Sequence, residues 1–137
     1  MKKMLLEIFT PEKSVLKEYV QSIIVPSYEG EMGILPEHIP LIAQLVPGEI
    51  KILSNNERKI FVISGGFIEV NTAGVEIYAE TADLLQEIDI EKSKIELEQA
   101  KSKLKQKDIH TVELLKAKFA IQKELAKIKV ISRHKHH

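Results

Sequence analysis

Lys59-Ile60-Phe61-Val62-Ile63-Ser64-Gly65-Gly66-Phe67-Ile68-Glu69-Val70-Asn71-Thr72-Ala73-Gly74-Val75-Glu76-Ile77-Tyr78-Ala79 decides the fold class. Lys59 to Ser64 is a continuous apolar run, suited to a strand buried on both faces. Phe67 to Asn71 and Val75 to Ala79 alternate with period two, the pattern of half-buried strands. Gly65-Gly66 joins two of these strands, at a place where positive φ or close backbone approach excludes a side chain. Asn71-Thr72-Ala73-Gly74 is a hairpin turn by composition.

Outward from this stretch the pattern repeats. Ser54-Asn55-Asn56-Glu57 is a second turn, and Glu49-Ile50-Lys51-Ile52 alternates before it. Val20, Ile23, Ile24 and Val25 form a β-branched run that ends at Pro26, and Leu6, Ile8 and Val15 recur among polar neighbours. Many short strands with frequent turns predict a β-sandwich or barrel of about eight to ten strands. All six glycines and all five prolines fall at or before Gly74. Beyond it the period changes. Ile90, Leu97, Ala100 and Leu104 keep a helical spacing, as do Leu114, Ala117, Ile121, Leu125 and Ile128. The polar joint 105–111 lies between them, with Asp108 or Thr111 placed to cap the second helix. The expectation is an antiparallel hairpin of two helices, each about twenty residues long, marginal and mobile unless it docks on something.

The chain therefore divides into a β domain, 1–86, and a helical hairpin with a basic tail, 87–137. Twenty basic residues balance twenty acidic ones among 137, but unevenly. The first part carries seven basic and twelve acidic side chains, and the second thirteen and eight. The neutral total hides two oppositely charged pieces. Apolar residues at 44% fit an ordered domain rather than a disordered chain. The absence of cysteine excludes disulfides, thiolate metal sites and cysteine nucleophiles. No apolar run has the length of a signal peptide or a membrane span, so any membrane attachment is expected to go through partners.

A search for chemistry finds no phosphate loop, dinucleotide fingerprint or nucleophile elbow. Gly30-Glu31-Met32-Gly33 has the glycines of a phosphate loop without its Lys or Ser/Thr, and reads as a turn. Glu29 and Glu31 read as a solvated loop rather than an acid–base pair. His38 has no Ser or Asp partner at motif spacing and reads as a structural or interface histidine. His134-Lys135-His136-His137 fits a weak metal grip or a solvated end. No enzyme emerges. On the second helix Lys116, Lys123 and Lys127 share a face, flanked by Lys118 and Lys129. Nearly no aromatics interleave with them, which argues against nucleic acid. They fit a solvated face or a cationic surface for an acidic protein, weakened by salt.

Three segments carry a family resemblance. Glu29-Gly30-Glu31-Met32-Gly33-Ile34-Leu35-Pro36-Glu37-His38-Ile39-Pro40-Leu41 is similar to a G-x-x-G-x-x-P-x-H-x-P-L stretch. Ile63-Ser64-Gly65-Gly66-Phe67-Ile68-Glu69-Val70 is close to S-G-G-[FI]-x-E-V. Ala79-Glu80-Thr81-Ala82, followed by Glu87-Ile88-Asp89, matches the exit from the sheet, and Leu6 to Pro11 also fits. Together they resemble the epsilon subunit of F-type ATP synthases, over essentially the whole chain. The resemblance implies a non-catalytic rotor subunit that couples gamma to the ring of c subunits and acts on hydrolysis through its helices. Glu31, Met32 and His38 match the loop facing the ring and gamma. Gly65, Gly66, Pro36 and Pro40 are its structural signature. Lys116, Lys118, Lys123 and Lys127 are candidates to meet the beta subunit of the alpha/beta catalytic head. Ile88 and Asp89 match the start of an ATP-binding pattern, I/L-D-x-x-R-A, but Lys92 and Ser93 replace its Arg and Ala. Lysine keeps the charge and loses the planar fork. ATP is then at most a weak regulatory ligand, and no cofactor is required. The implied place is peripheral, on the cytoplasmic face of a bacterial plasma membrane. The rival reading is a generic β-sandwich protein-binding module with a helical interaction arm.

Overall fold

The computed structural model describes residues 2–134. Ten strands come first: β1 (Met4–Phe9), β2 (Ser14–Val20), β3 (Ser22–Ser27), β4 (Gly30–Ile34), β5 (Leu41–Leu45), β6 (Gly48–Ser54), β7 (Glu57–Ile63), β8 (Gly66–Asn71), β9 (Gly74–Ala79) and β10 (Ala82–Leu84). A 3-10 turn, Leu85–Glu87, leads into α1 (Ile90–Leu104) and α2 (Thr111–His134). The strands hydrogen-bond in the order β10-β7-β6-β3-β5-β8-β9-β1-β2, with β4 paired to β3. The sheet folds over on itself into a sandwich. Inward residues from both layers, among them Leu6, Ile8, Ile23, Ile50, Ile63, Ile68 and Ile77, join one core.

Local chemistry explains the two expected hairpins. Asn55 and Asn56 both have positive φ, the backbone that a two-residue link between twisted strands requires. In the other, the Asn71 side-chain oxygen accepts from Ala73 N at 2.8 Å and Gly74 N at 3.2 Å. The apolar run is buried on both faces as its composition predicts. Phe61 and Ile63 enter the core, while Val62, on the opposite face of β7, is only 2% exposed. The cover over Val62 is the hairpin, since α2 lies against β7 and β6.

Several expectations are corrected. The strand with the β-branched run continues through Pro26 to Ser27, and the Pro26 carbonyl accepts from Val46 N at 2.9 Å. Gly30 to Gly33 is strand rather than turn. Only Gly30 takes the positive φ of the preceding turn. Because β4 pairs with β3 alone, glycines at this edge need fill no space beside a second strand. The helices are unequal, 15 and 24 residues. His110 rather than Asp108 or Thr111 stands at the start of α2, its carbonyl accepting from Leu114 N. Leu125, expected on the apolar stripe, is 47% exposed, and its neighbour Glu124 is buried instead. The inner face of α2 is set by docking on two surfaces at once, α1 and the sheet, so a single apolar arc does not describe it.

Candidate functional site

The loop between β4 and β5 does not gather its three candidate residues. Glu31, on the outward side of β4, is exposed and pairs with Lys51 at 3.3 Å. Met32 packs on the core. His38 is half-buried in the loop, where its N–H donates to Leu35 O and Nδ1 lies 2.8 Å from Ile39 O. Pro36 and Pro40 flank this turn, and Glu37 takes a positive φ between them. The loop's apolar offering is instead Leu35, 62% exposed, and Ile39, 77% exposed. At the other signature position Gly65 and Gly66 have φ of 125° and 146°. A side chain on Gly66 would meet the backbone of Tyr78 and Ala79.

A second surface went unnamed at the sequence level. On the outer face of β5, β8, β9 and β1 the register sets Gln44, Phe67, Tyr78 and Phe9 in one row. The rings of Phe9 and Tyr78 stack at 5.1 Å, and those of Phe67 and Tyr78 at 4.9 Å. Beside them runs a second row, Ile42, Glu69, Glu76 and Glu7. Three carboxylates on adjacent strands repel one another, and a cationic partner would relieve them. The signal was present: Phe67 and Tyr78 hold the outward parity of strands whose inward parity is Ile68, Val70, Val75 and Ile77. What the sequence lacks is the pairing that lines the strands up.

The same rows explain one titration. The Tyr78 hydroxyl donates to the Glu76 carboxylate. That bond first, then burial and the negative field of Glu76, Glu69 and Glu7, pushes the phenol from 10.0 up to about 12. The folded state thus holds this proton more tightly than the unfolded chain. Its stabilising contribution is complete below the unfolded value and is lost as pH rises through about 12. Glu76→Ala is expected to return Tyr78 towards 10, seen as phenolate absorbance appearing at lower pH. An unchanged profile would mean that the carboxylate does not hold the hydroxyl.

The candidate lysines of α2 fall into two groups. Lys116 and Lys118 are exposed. Lys123 lies 3.4 Å from Glu124, and Lys127 is 3.5 Å from Asp83 on β10 and 3.7 Å from Glu124. At the end of the helix His134 Nε2 lies 2.7 Å from Glu49 Oε2. His134 is therefore engaged with a buried carboxylate rather than offered to a metal; 135–137, the rest of that tail, lie outside the described residues. Among the described residues no group of three His, Asp or Glu side chains could hold a metal. At the entrance to α1, Ile88 is half-buried while Asp89 and Lys92 are exposed. Asp89 Oδ1 accepts from Glu91 N at 3.0 Å and Lys92 N at 3.2 Å, making it the helix cap.

The sandwich thus carries a helical arm on one layer and leaves an aromatic and acidic face open on the other. Residues 3–85 match the family of the ATP synthase delta/epsilon chain β-sandwich domain. The chain is 37% identical over 136 residues to the sodium-ion-specific ATP synthase epsilon chain of Propionigenium modestum, covering 96% of each. It is 39% identical over 129 residues to the epsilon chain of Syntrophobacter fumaroxidans, covering 93% of this chain and 95% of that one. A chain in the c-ring-containing structure of the Euglena gracilis mitochondrial ATP synthase superimposes with a TM-score of 0.72 at 30% identity, covering 98% of this chain and 82% of that one. The chain belongs to the ATP synthase epsilon chain family, whose members are non-catalytic subunits of the complex.

Proposed function

We propose that the chain is a rotor subunit in the central stalk of an F-type ATP synthase, joining gamma to the ring of c subunits. The observation that carries this reading is the bare outer layer. Its stacked Phe9, Tyr78 and Phe67 and its row of Glu7, Glu76 and Glu69 form a surface suited to a cation-bearing protein partner, for which gamma is our assignment. The loop carrying Leu35, His38 and Ile39, with Glu31 and Met32 on the adjoining strand, is assigned to the ring and gamma. The Euglena relative comes from a structure containing the c-ring, which supports the same assembly. The hairpin is the regulatory arm. Released from the sheet, it would present Lys116, Lys118, Lys123 and Lys127 to an acidic surface of beta and slow hydrolysis. Ile88, Asp89 and Lys92 make a poor ATP site, because the Asp89 oxygen already serves two backbone N–H groups. Binding there is at most weak and regulatory. No helix among the described residues is long and apolar enough to cross a membrane. The subunit would sit at the cytoplasmic face of a bacterial plasma membrane through its partners.

The test is ATP hydrolysis by the cognate alpha–beta–gamma complex with the full chain or a version ending at Gln86. Both are expected to bind, and only the full chain to slow hydrolysis. If both bind and neither slows it, the regulatory arm is refuted. If neither binds, the stalk assignment fails.

A further inference from the structure

The docked hairpin rests on one cross-strand row. Glu49 on β6 pairs with Val62 on β7, and Val62 pairs with Asp83 on β10. All three side chains point away from the core, because their strand neighbours Ile50, Phe61, Ile63, Ala82 and Leu84 point into it or pack on it. The row reads acid, apolar, acid. The helix above it reads lysine, valine, histidine, at positions 127, 130 and 134. Lys127 Nζ lies 3.5 Å from Asp83 Oδ2. Val130 is fully buried, as Val62 is. His134 Nε2 lies 2.7 Å from Glu49 Oε2, with Arg133 Nη1 3.8 Å from Glu49 Oε1. The spacings agree independently of these contacts. Seven residues of helix advance about 10.5 Å, and two strand spacings are about 9.5 Å. A helix crossing three strands can therefore match all three positions at once.

We propose that Lys127, Val130 and His134 form a three-point latch with Asp83, Val62 and Glu49, and that this latch holds the hairpin on the sandwich. Lys127 with Asp83 at one end and Arg133 with Glu49 at the other are ion pairs, so the latch is salt-sensitive. Lys51, 3.6 Å from Glu49, and Glu124, 3.7 Å from Lys127 and 3.4 Å from Lys123, also lie beside those ends. Lys127 cannot serve the latch and an external acidic surface together. That exclusivity rests on the partner role proposed above, whereas the latch itself does not.

The absence of cysteine makes the test clean. Arg58→Cys and Lys129→Cys, both at exposed positions, carry a spin-label pair in the full chain, and the distance distribution reports docking. In about 0.1 M salt one narrow, short distance is expected. In about 1 M salt, where screening shortens from about 10 Å to about 3 Å, a longer and broader population should appear. Glu49→Ala with Asp83→Ala should lower the docked-to-released ratio about ten-fold even at low salt, since a hydrogen bond to a charged group and a half-buried ion pair go together. Asp83→Lys alone, which sets two cations face to face at that end while leaving Lys127 beside Glu124, should also release the hairpin. Should the sheet-side double variant unfold the β domain, Lys127→Gln with His134→Gln reads the same ratio from the helix side. An unchanged distance in the substituted chains overturns the latch.

Discussion

Gly66→Ala is expected to destabilise the β domain by about 3–5 kcal/mol, enough to unfold much of it at ordinary temperatures. The cause is specific. A Cβ at this position would lie 2.0 Å from the Tyr78 carbonyl oxygen and 2.9 Å from Ala79 Cα. Those atoms are backbone in the β8–β9 ladder, where Gly66 pairs with Ala79, so they cannot turn aside as a flexible side chain would. Gly65 makes the internal comparison. Its φ of 125° is also strained for any other residue, but the nearest atom to a Cβ there is Leu45 O at 3.7 Å. Gly65→Ala should therefore cost only the strain, about 1–3 kcal/mol. Denaturant midpoints at constant slope separate the two. If Gly65→Ala proves as damaging as Gly66→Ala, close approach is not what holds Gly66.

The second large effect lies in the core. Ile77 is fully buried and sits in register between Ile68 on β8 and Ile8 on β1, which are themselves fully buried. Ile77→Ala leaves a cavity with rigid strands on both sides and is expected to cost about 3–4 kcal/mol. Ile42, 72% exposed on the bare face, is the contrast. Ile42→Ala should change stability by no more than about 0.5 kcal/mol, while weakening association with the gamma partner proposed for this face. The same denaturation measurement reads both. A stability loss at Ile42 comparable to that at Ile77 would show that the bare face is no free surface.

Much of this architecture is legible in the sequence, for identifiable reasons. The run from Lys59 to Ser64 announces a strand covered twice, and Val62 under α2 is the second cover. Asn55-Asn56 and Asn71 to Gly74 announce their turns because few residues accept those backbones. The misreadings share a cause. Leu125 is expected inside and lies outside because hydropathy at helical spacing records how apolar a residue is, not what it lies against. Glu124 is buried with Lys123 and Lys127 nearby, an arrangement visible only once α2 is laid on the sheet. Alternation along β4 turns Met32 inward while Glu31 stays out, a placement that the shared motif with His38 does not reveal. The aromatic row of Phe67, Tyr78 and Phe9 depends on which strands pair, and one chain's local pattern carries no register between β1 and β9.

That pairing has a consequence for how the chain is made. β1 joins β9 in parallel, Leu6 opposite Val75, so the first strand's partner is synthesised about seventy residues later. At about 5–20 residues per second the interval is several seconds. During it β1 can pair only with β2, its other edge open to foreign strands. β10, the last strand under α2, follows only a few residues after β9, so the landing row for the helix is finished just before the helix itself. The β domain is thus completed nearly all at once, near its end. Chains interrupted before Ala79 are expected to leave an edge of β1 unpaired, whereas those ending after Leu84 hold every strand of the sheet and lack only the arm.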